Sequence, residues 1–266
     1  MTEMATRALT GAAYVALTVG AALAGPLTTT LLFLPVCALA VGEMHRLAYG
    51  AARQPLTIPL LSTLVVYLAV AGHGMGRVPP EWVAAVAVAA FASGVLEVLA
   101  AGRNQPLLRV GLLLICLAYV ALPFGLTTWL LSGGPWLFLG FMILLWTNDT
   151  GAYLVGKAIG RTKLLPRASP KKTVEGLLGG IVLSMGVALL LSRFWPVLAP
   201  AQWAACAVVV SIAATIGDLL ESAFKRSADV KDSGTILPGH GGILDRFDGF
   251  LLALPAMAAY VAIVRT

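Results

Sequence analysis

Charge is scarce in this chain of 266 residues. Only 11% are Asp, Glu, Lys or Arg, while 59% are hydrophobic and mean hydropathy is +0.90. A soluble domain of this length keeps a far more charged surface, so that class is excluded and a polytopic membrane protein is implied. Cysteine is also sparse. Cys37, Cys116 and Cys206 lie far apart in apolar runs, with no Cys-x-x-Cys or Cys/His spacing. That excludes a thiolate metal site and points to inert buried thiols. No internal repeat is evident, which argues against a transporter built from inverted repeats. Acidic residues number twelve against eighteen basic ones, a formal charge of +6. In a membrane chain this excess reads first as orientation and only second as an anionic ligand; no nucleic-acid partner is expected.

What is present is a series of apolar runs. They predict an all-α polytopic integral membrane protein of about nine transmembrane helices: 8–24, 27–48, 56–73, 80–100, 108–131, 135–157, 176–195, 202–226 and 246–264. The first run leads straight into the second, so it reads as a retained span and not as a cleaved signal. With the N-terminus in the cytoplasm, 15 of the 18 basic residues fall on inside segments, leaving only Arg77, Arg193 and Arg265 outside. This asymmetry places the polar loops 158–175 and 227–245 in the cytoplasm and the C-terminus outside. Two regions follow, 1–131 with about five spans and 132–266 with about four. The expected location is a bacterial-type inner membrane, with the active site at its cytoplasmic face.

The first region carries little chemistry. Glu43, His45 and Arg46 at the end of the second span, and Glu97 near the end of the fourth, read as interfacial charge. The second region differs. In Trp146-Thr-Asn148-Asp149-Thr-Gly-Ala-Tyr153, Asp149 shares a helical face with Tyr153 and Lys157 at i, i+4 and i+8. Ser169-Pro170-Lys171-Lys172-Thr173 reads as a helix start with Pro at the first position, its free N–H groups beside two lysines. Asp218, Glu221, Ser222 and Lys225 fall at i, i+3, i+4 and i+7 on the eighth span. A glycine-rich loop, Pro238-Gly239-His240-Gly241-Gly242, then leads to Asp245-Arg246-Phe247-Asp248. Carboxylates, cations and close-approaching backbone at adjoining helix ends suit a polyphosphate with a divalent metal.

These blocks together resemble the phosphatidate cytidylyltransferase, or CDP-diacylglycerol synthase, family. Its signature is matched without a gap by Ser222-Ala-Phe-Lys225-Arg226, Lys231-Asp232 and His240-Gly241-Gly242-Ile-Leu-Asp245-Arg246-Phe-Asp248. Asp149-Thr-Gly-Ala-Tyr153 and Ser169-Pro-Lys-Lys-Thr173-Val-Glu175-Gly176 resemble two further blocks. The likeness is specific over about 145–250. Val174, where many members carry an aromatic residue, and Asn148, a bulky residue before the Asp, are small departures. The resemblance implies transfer of CMP from CTP to phosphatidate with Mg²⁺, at the bilayer, in phospholipid biosynthesis, and a homodimer. On that basis Asp218, Asp245 and Asp248, with Asp149 as a fourth carboxylate, are the expected metal ligands, enough for a second cation. Lys171, Lys172, Lys225, Arg226, Lys231 and Arg246 are expected at phosphates. Gly239, Gly241 and Gly242 would offer N–H groups, and His240 a hydrogen bond. Ser169, Thr173, Glu175, Ser222, Glu221 and Asp232 join the substrate site, the last two by orienting lysines instead of binding metal. A CDP-alcohol phosphotransferase would show Asp-Gly-x-x-Ala-Arg, which is absent, and a transporter would place its charges at the midplane.

The orientation is directly testable. Reporter fusions after Arg167 and after Thr266 are expected on opposite sides of the membrane; the same side for both would refute the nine-span arrangement.

Overall fold

The computed structural model describes residues 3–50, 54–101, 105–236 and 241–265. Among these the chain is helical apart from one small hairpin. The helices are α1 (Glu3–Ala24), α2 (Pro26–Tyr49), α3 (Thr57–Gly74), α4 (Pro80–Ala101), α5 (Pro106–Ile115), α6 (Leu122–Leu130), α7 (Trp136–Ile159), α8 (Val174–Phe194), α9 (Pro200–Ser227) and α10 (Leu244–Arg265). Four of them open on a proline, whose fixed φ and missing N–H suit the first helical position. Gly25, at φ +116°, makes the corner between α1 and α2 in a conformation that side chains disfavour.

Helices α5 and α6 are joined by a π-helical turn, Cys116–Ala121, into one rod over Pro106–Leu130. Pro123 explains the wide turn. It has no N–H to give, and its ring crowds the carbonyl four residues back. Eight helices among the described residues are long and apolar enough to cross a membrane; α1 contributes a shorter apolar stretch, Leu9–Ala24. Large apolar side chains cover the outside, including Leu107, Leu99, Ile263 and Phe194, all more than two-thirds exposed. Such a surface suits lipid and not water. The protein is therefore an all-α integral membrane protein.

The chain forms two compact units. The first comprises 1–132 with 228–246, and the second 133–227 with 247–266. Lipid offers helices no hydrophobic reason to associate, so close packing and interhelical hydrogen bonds must do it. In the first unit, α6 approaches α3 at Gly125, where a Cβ would stand 2.7 Å from Val70 Cβ. The buried Tyr67 hydroxyl donates to Thr30 O at 2.6 Å, and Thr128 Oγ1 donates to Ala71 O at 2.9 Å. In the second unit, α7 and α8 meet through glycines. A Cβ on Gly151 would stand 3.2 Å from Gly180 Cα, and one on Gly180 would stand 2.9 Å from Asn148 O. Ser184 Oγ donates across the same contact to Leu144 O at 3.2 Å. Helix α10 is brought against α9 by Gly217, where a Cβ would meet Asp248 O.

Because backbone atoms stand opposite Gly180, no side-chain rotation relieves a larger residue there. Gly180→Val is expected to destabilise the protein by about 1–3 kcal/mol, the usual cost of overpacking. The thermal midpoint in detergent measures it; an unchanged midpoint would refute the close contact.

Candidate active site

The segment between α7 and α8 is a hairpin. Strand β1 (Lys163–Leu165) pairs antiparallel with β2 (Ser169–Thr173), with Lys163 opposite Thr173 and Leu165 opposite Ser169. Leu165 O accepts from Ala168 N–H at 3.2 Å around Pro166, a residue suited to the second place of a turn. The expected helix start at Ser169-Pro170 is thus corrected. A residue before proline is driven towards extended backbone, so Ser169 joins a strand. The helix begins at Val174 instead, with Thr173 as its N-cap, accepting from Gly176 N–H at 3.2 Å. Val174 N–H donates to Thr162 O at 2.9 Å. Helix-start N–H groups expected to be open to a phosphate beside the lysines are therefore already engaged. Glu175 ties the other end of the hairpin down, accepting from Arg161 N–H at 3.0 Å and Thr162 N–H at 3.1 Å.

The hairpin, α7, α8 and α9 enclose a cavity of about 450 Å³, within the range of small-molecule sites. Helix α7 lines it with Asn148, Asp149, Tyr153, Gly156 and Lys157; β2 adds Lys171, Lys172 and Thr173; α9 adds Thr215 and Asp218. The face expected to carry Asp149, Tyr153 and Lys157 is the one turned to the cavity, with Lys157 Nζ 5.8 Å from the Tyr153 ring centroid. Lys172 Nζ is ion-paired with Asp218, and Ser222 Oγ lies 3.3 Å from the other Asp218 oxygen. Asp149 and Asp248 are within electrostatic reach of Asp218 and of each other. Asn148 fits because Gly180 opposite it has no side chain. The helical face carrying Asp218 divides: Glu221 is fully buried and ion-paired with Lys225 at 2.5 Å.

The loop after α9 folds within the first unit. Asp245 Oδ2 accepts from Gly242 N–H at 2.7 Å and Ser233 N–H at 2.9 Å. The Gly242 N–H expected at a phosphate thus has a partner within the protein. Gly241, at φ +80°, needs to be glycine for its backbone alone. Lys231, Asp232 and Arg246 are exposed in this unit, and Arg226 in the other. Gly239 and His240 lie outside the described residues.

Residues 5–264 match the model of a family described as the cytidylyltransferase family. The chain belongs to that family. Phosphatidate cytidylyltransferase of Bacillus subtilis (strain 168) is 47% identical over 122 residues, 46% of this chain and 45% of that enzyme, less than half its length. The enzyme of the same name from Staphylococcus epidermidis (strain ATCC 12228 / FDA PCI 1200) is 37% identical over 214 residues, 76% of this chain and 78% of that one. The Staphylococcus aureus (strain COL) enzyme is 43% identical over 151 residues, 54% and 56% of the two chains.

For this member of the family the donor set can be compared with what Mg²⁺ requires. Among the described residues no three Asp, Glu, His or Cys stand close enough to hold an ion unaided. Mg²⁺ takes few carboxylates, keeps waters and shares substrate phosphates, so Asp149, Asp218 and Asp248 fit an ion that arrives with a nucleotide. Asp245 belongs to the first unit and its Oδ2 is engaged there.

Sequence reasoning passed over Thr215 as a lining residue. Thr215 stands three residues before Asp218, on the same helical face, and that spacing was the available signal. Glu43 was read as interfacial charge, but it is fully buried. A carboxylate inside an apolar span was itself the signal.

The N-cap gives a local test. Thr173→Ala is expected to cost about 1 kcal/mol, and Thr173→Ser to retain most of it. Thermal unfolding of the purified protein measures both; equal loss in the two variants would deny the cap.

Proposed function

We propose that this chain transfers CMP from CTP to phosphatidate, giving CDP-diacylglycerol and pyrophosphate. The observation that carries the reading is the cavity in which Asp149 and Asp218 face Lys171, Lys172 and Lys157 in a chain of the cytidylyltransferase family. A phosphatidate phosphate oxygen attacks the α-phosphorus of CTP. One P–O bond forms, the bond to the β-phosphate oxygen breaks, and pyrophosphate leaves with the electron pair. The nucleophile is already an anion, so no general base is needed. The protein has to hold two anions together and neutralise the leaving group.

The lysines of β2 and α7 supply positive charge to the phosphates. Asp218 holds Lys172 in an ion pair. This pair is partly exposed, and such pairs contribute only about 0–1 kcal/mol, so a phosphate displaces the carboxylate from Lys172 at little cost. Bound Mg²⁺ would offset the charge of the pyrophosphate, with Asp218, Asp149 and Asp248 as its protein ligands. The reading extends to a cytoplasmic placement of the hairpin and a homodimer, on the basic-residue asymmetry and the family resemblance respectively.

Radiolabelled CTP, phosphatidate and Mg²⁺ with the purified protein should give a labelled CDP-lipid. Asp149→Asn and Asp218→Asn keep shape and remove charge, and each is expected to lower the rate by about 10²-fold, as losing one strong electrostatic stabiliser does. Glu81→Gln, on the exposed first turn of α4, should leave the rate unchanged. Wild-type rates in both Asp variants at saturating Mg²⁺ would refute the assignment.

A further inference from the structure

Glu43 lies near the end of α2 and has no solvent exposure. Its two carboxylate oxygens receive three donors, all from the segment that leads into α10. Ser233 Oγ donates at 2.7 Å, Ile243 N–H at 2.9 Å and Leu244 N–H at 2.9 Å. The Arg46 guanidinium is 3.9 Å away, beyond hydrogen-bond distance, so neutral donors hold the charge. Ile243 and Leu244 stand at the start of α10, where N–H groups have no partner within their own helix. Glu43 caps α10 from another helix, and a negative charge is favoured at that end.

Two further observations show a segment built around this carboxylate. Ser233 Oγ lies 2.7 Å from Glu43 and 3.0 Å from Asp245, so one residue bridges both acids. Its single hydroxyl proton can serve only one of them at a time, and Glu43 is the nearer. Gly234 and Gly242 are explained by the same group. A Cβ on Gly234 would stand 3.0 Å from Glu43 Cδ, and one on Gly242 would stand 2.6 Å from it. Any side chain at Gly242 would drive the backbone off the carboxylate.

We propose that Glu43 is a positioning residue for the nucleotidyl transfer. It fixes the start of α10, the helix whose opening residues carry Asp245 and Asp248. Glu43 has this role only if the chain is the cytidylyltransferase proposed above. Glutamine cannot replace it: one amide oxygen cannot serve donors on both sides, and the NH₂ group would face an N–H.

The test combines amide hydrogen exchange with steady-state kinetics on the purified full-length protein, Glu43→Gln and Ser233→Ala. For Glu43→Gln, exchange should quicken over 233–244 and stay unchanged in α3, α4 and α6. Turnover should fall about a hundredfold, as small misplacements of reacting groups cause, with the KM for CTP unchanged. Ser233→Ala should show the same pattern to a smaller degree. Wild-type turnover in Glu43→Gln would overturn the proposal. So would faster exchange throughout the protein with activity lost only in proportion to unfolded material, since that is a purely structural role. If Glu43→Gln does not accumulate, Ser233→Ala decides, and unchanged exchange and turnover there would overturn it. A wild-type protein that forms no CDP-lipid would overturn the proposed function and, with it, this role. The exchange pattern needs no substrate, so it would still report whether Glu43 holds the segment.

Discussion

A carboxylate at the end of a membrane helix cannot stay charged and buried without donors from elsewhere in the chain. That constraint shapes both units, and it is met in two different ways. In the first unit Glu43 is enclosed by a hydroxyl and two backbone N–H groups, with no exposure. In the second unit Asp218 is met by the ammonium of Lys172, and both side chains keep about a quarter to a third of their surface open. Breaking the first arrangement strands a buried charge, a loss of several kcal/mol. Opening the second costs little, because water and ligand replace what is lost. The first therefore suits a fixed scaffold, and the second a site that exchanges partners with a polyphosphate.

The cavity depends on how near the helices can come. Glycines at 151, 176 and 180 let α7 and α8 approach to backbone contact, and Gly217 does the same for α9 against α10. In lipid this closeness is itself the source of cohesion. It also brings Asp149 of α7 within electrostatic reach of Lys172 on the hairpin and Asp218 on α9. Glu175 and Thr173 then hold the hairpin at the head of α8, so Lys171 and Lys172 are carried by a strand with paired backbone.

Much of this was legible in one dimension. The apolar runs marked the helices, since lipid permits little else, and eight of them are long and apolar enough to cross a membrane among the described residues. The i, i+4, i+8 spacing of Asp149, Tyr153 and Lys157 placed them on one face, because a helix has a fixed period. The hairpin was not legible. Ser-Pro is read as a helix start by position, but here the backbone of β1 offered Ser169–Thr173 a partner, and that partner lies four to ten residues back in the chain. The division of the Asp218 face was hidden as well, since Glu221 and Lys225 satisfy each other while Asp218 turns to the cavity.

By itself, then, the sequence determined the membrane class, the helices, the family and the residue types of its chemistry, because these follow from composition, period and local spacing. The tertiary structure alone decided which charges meet. Glu43 stands some 200 positions from Ile243 and Leu244, and no local rule connects them. Their pairing arises because a buried carboxylate and the bare N–H groups at a helix start each lack a partner until folding brings them together.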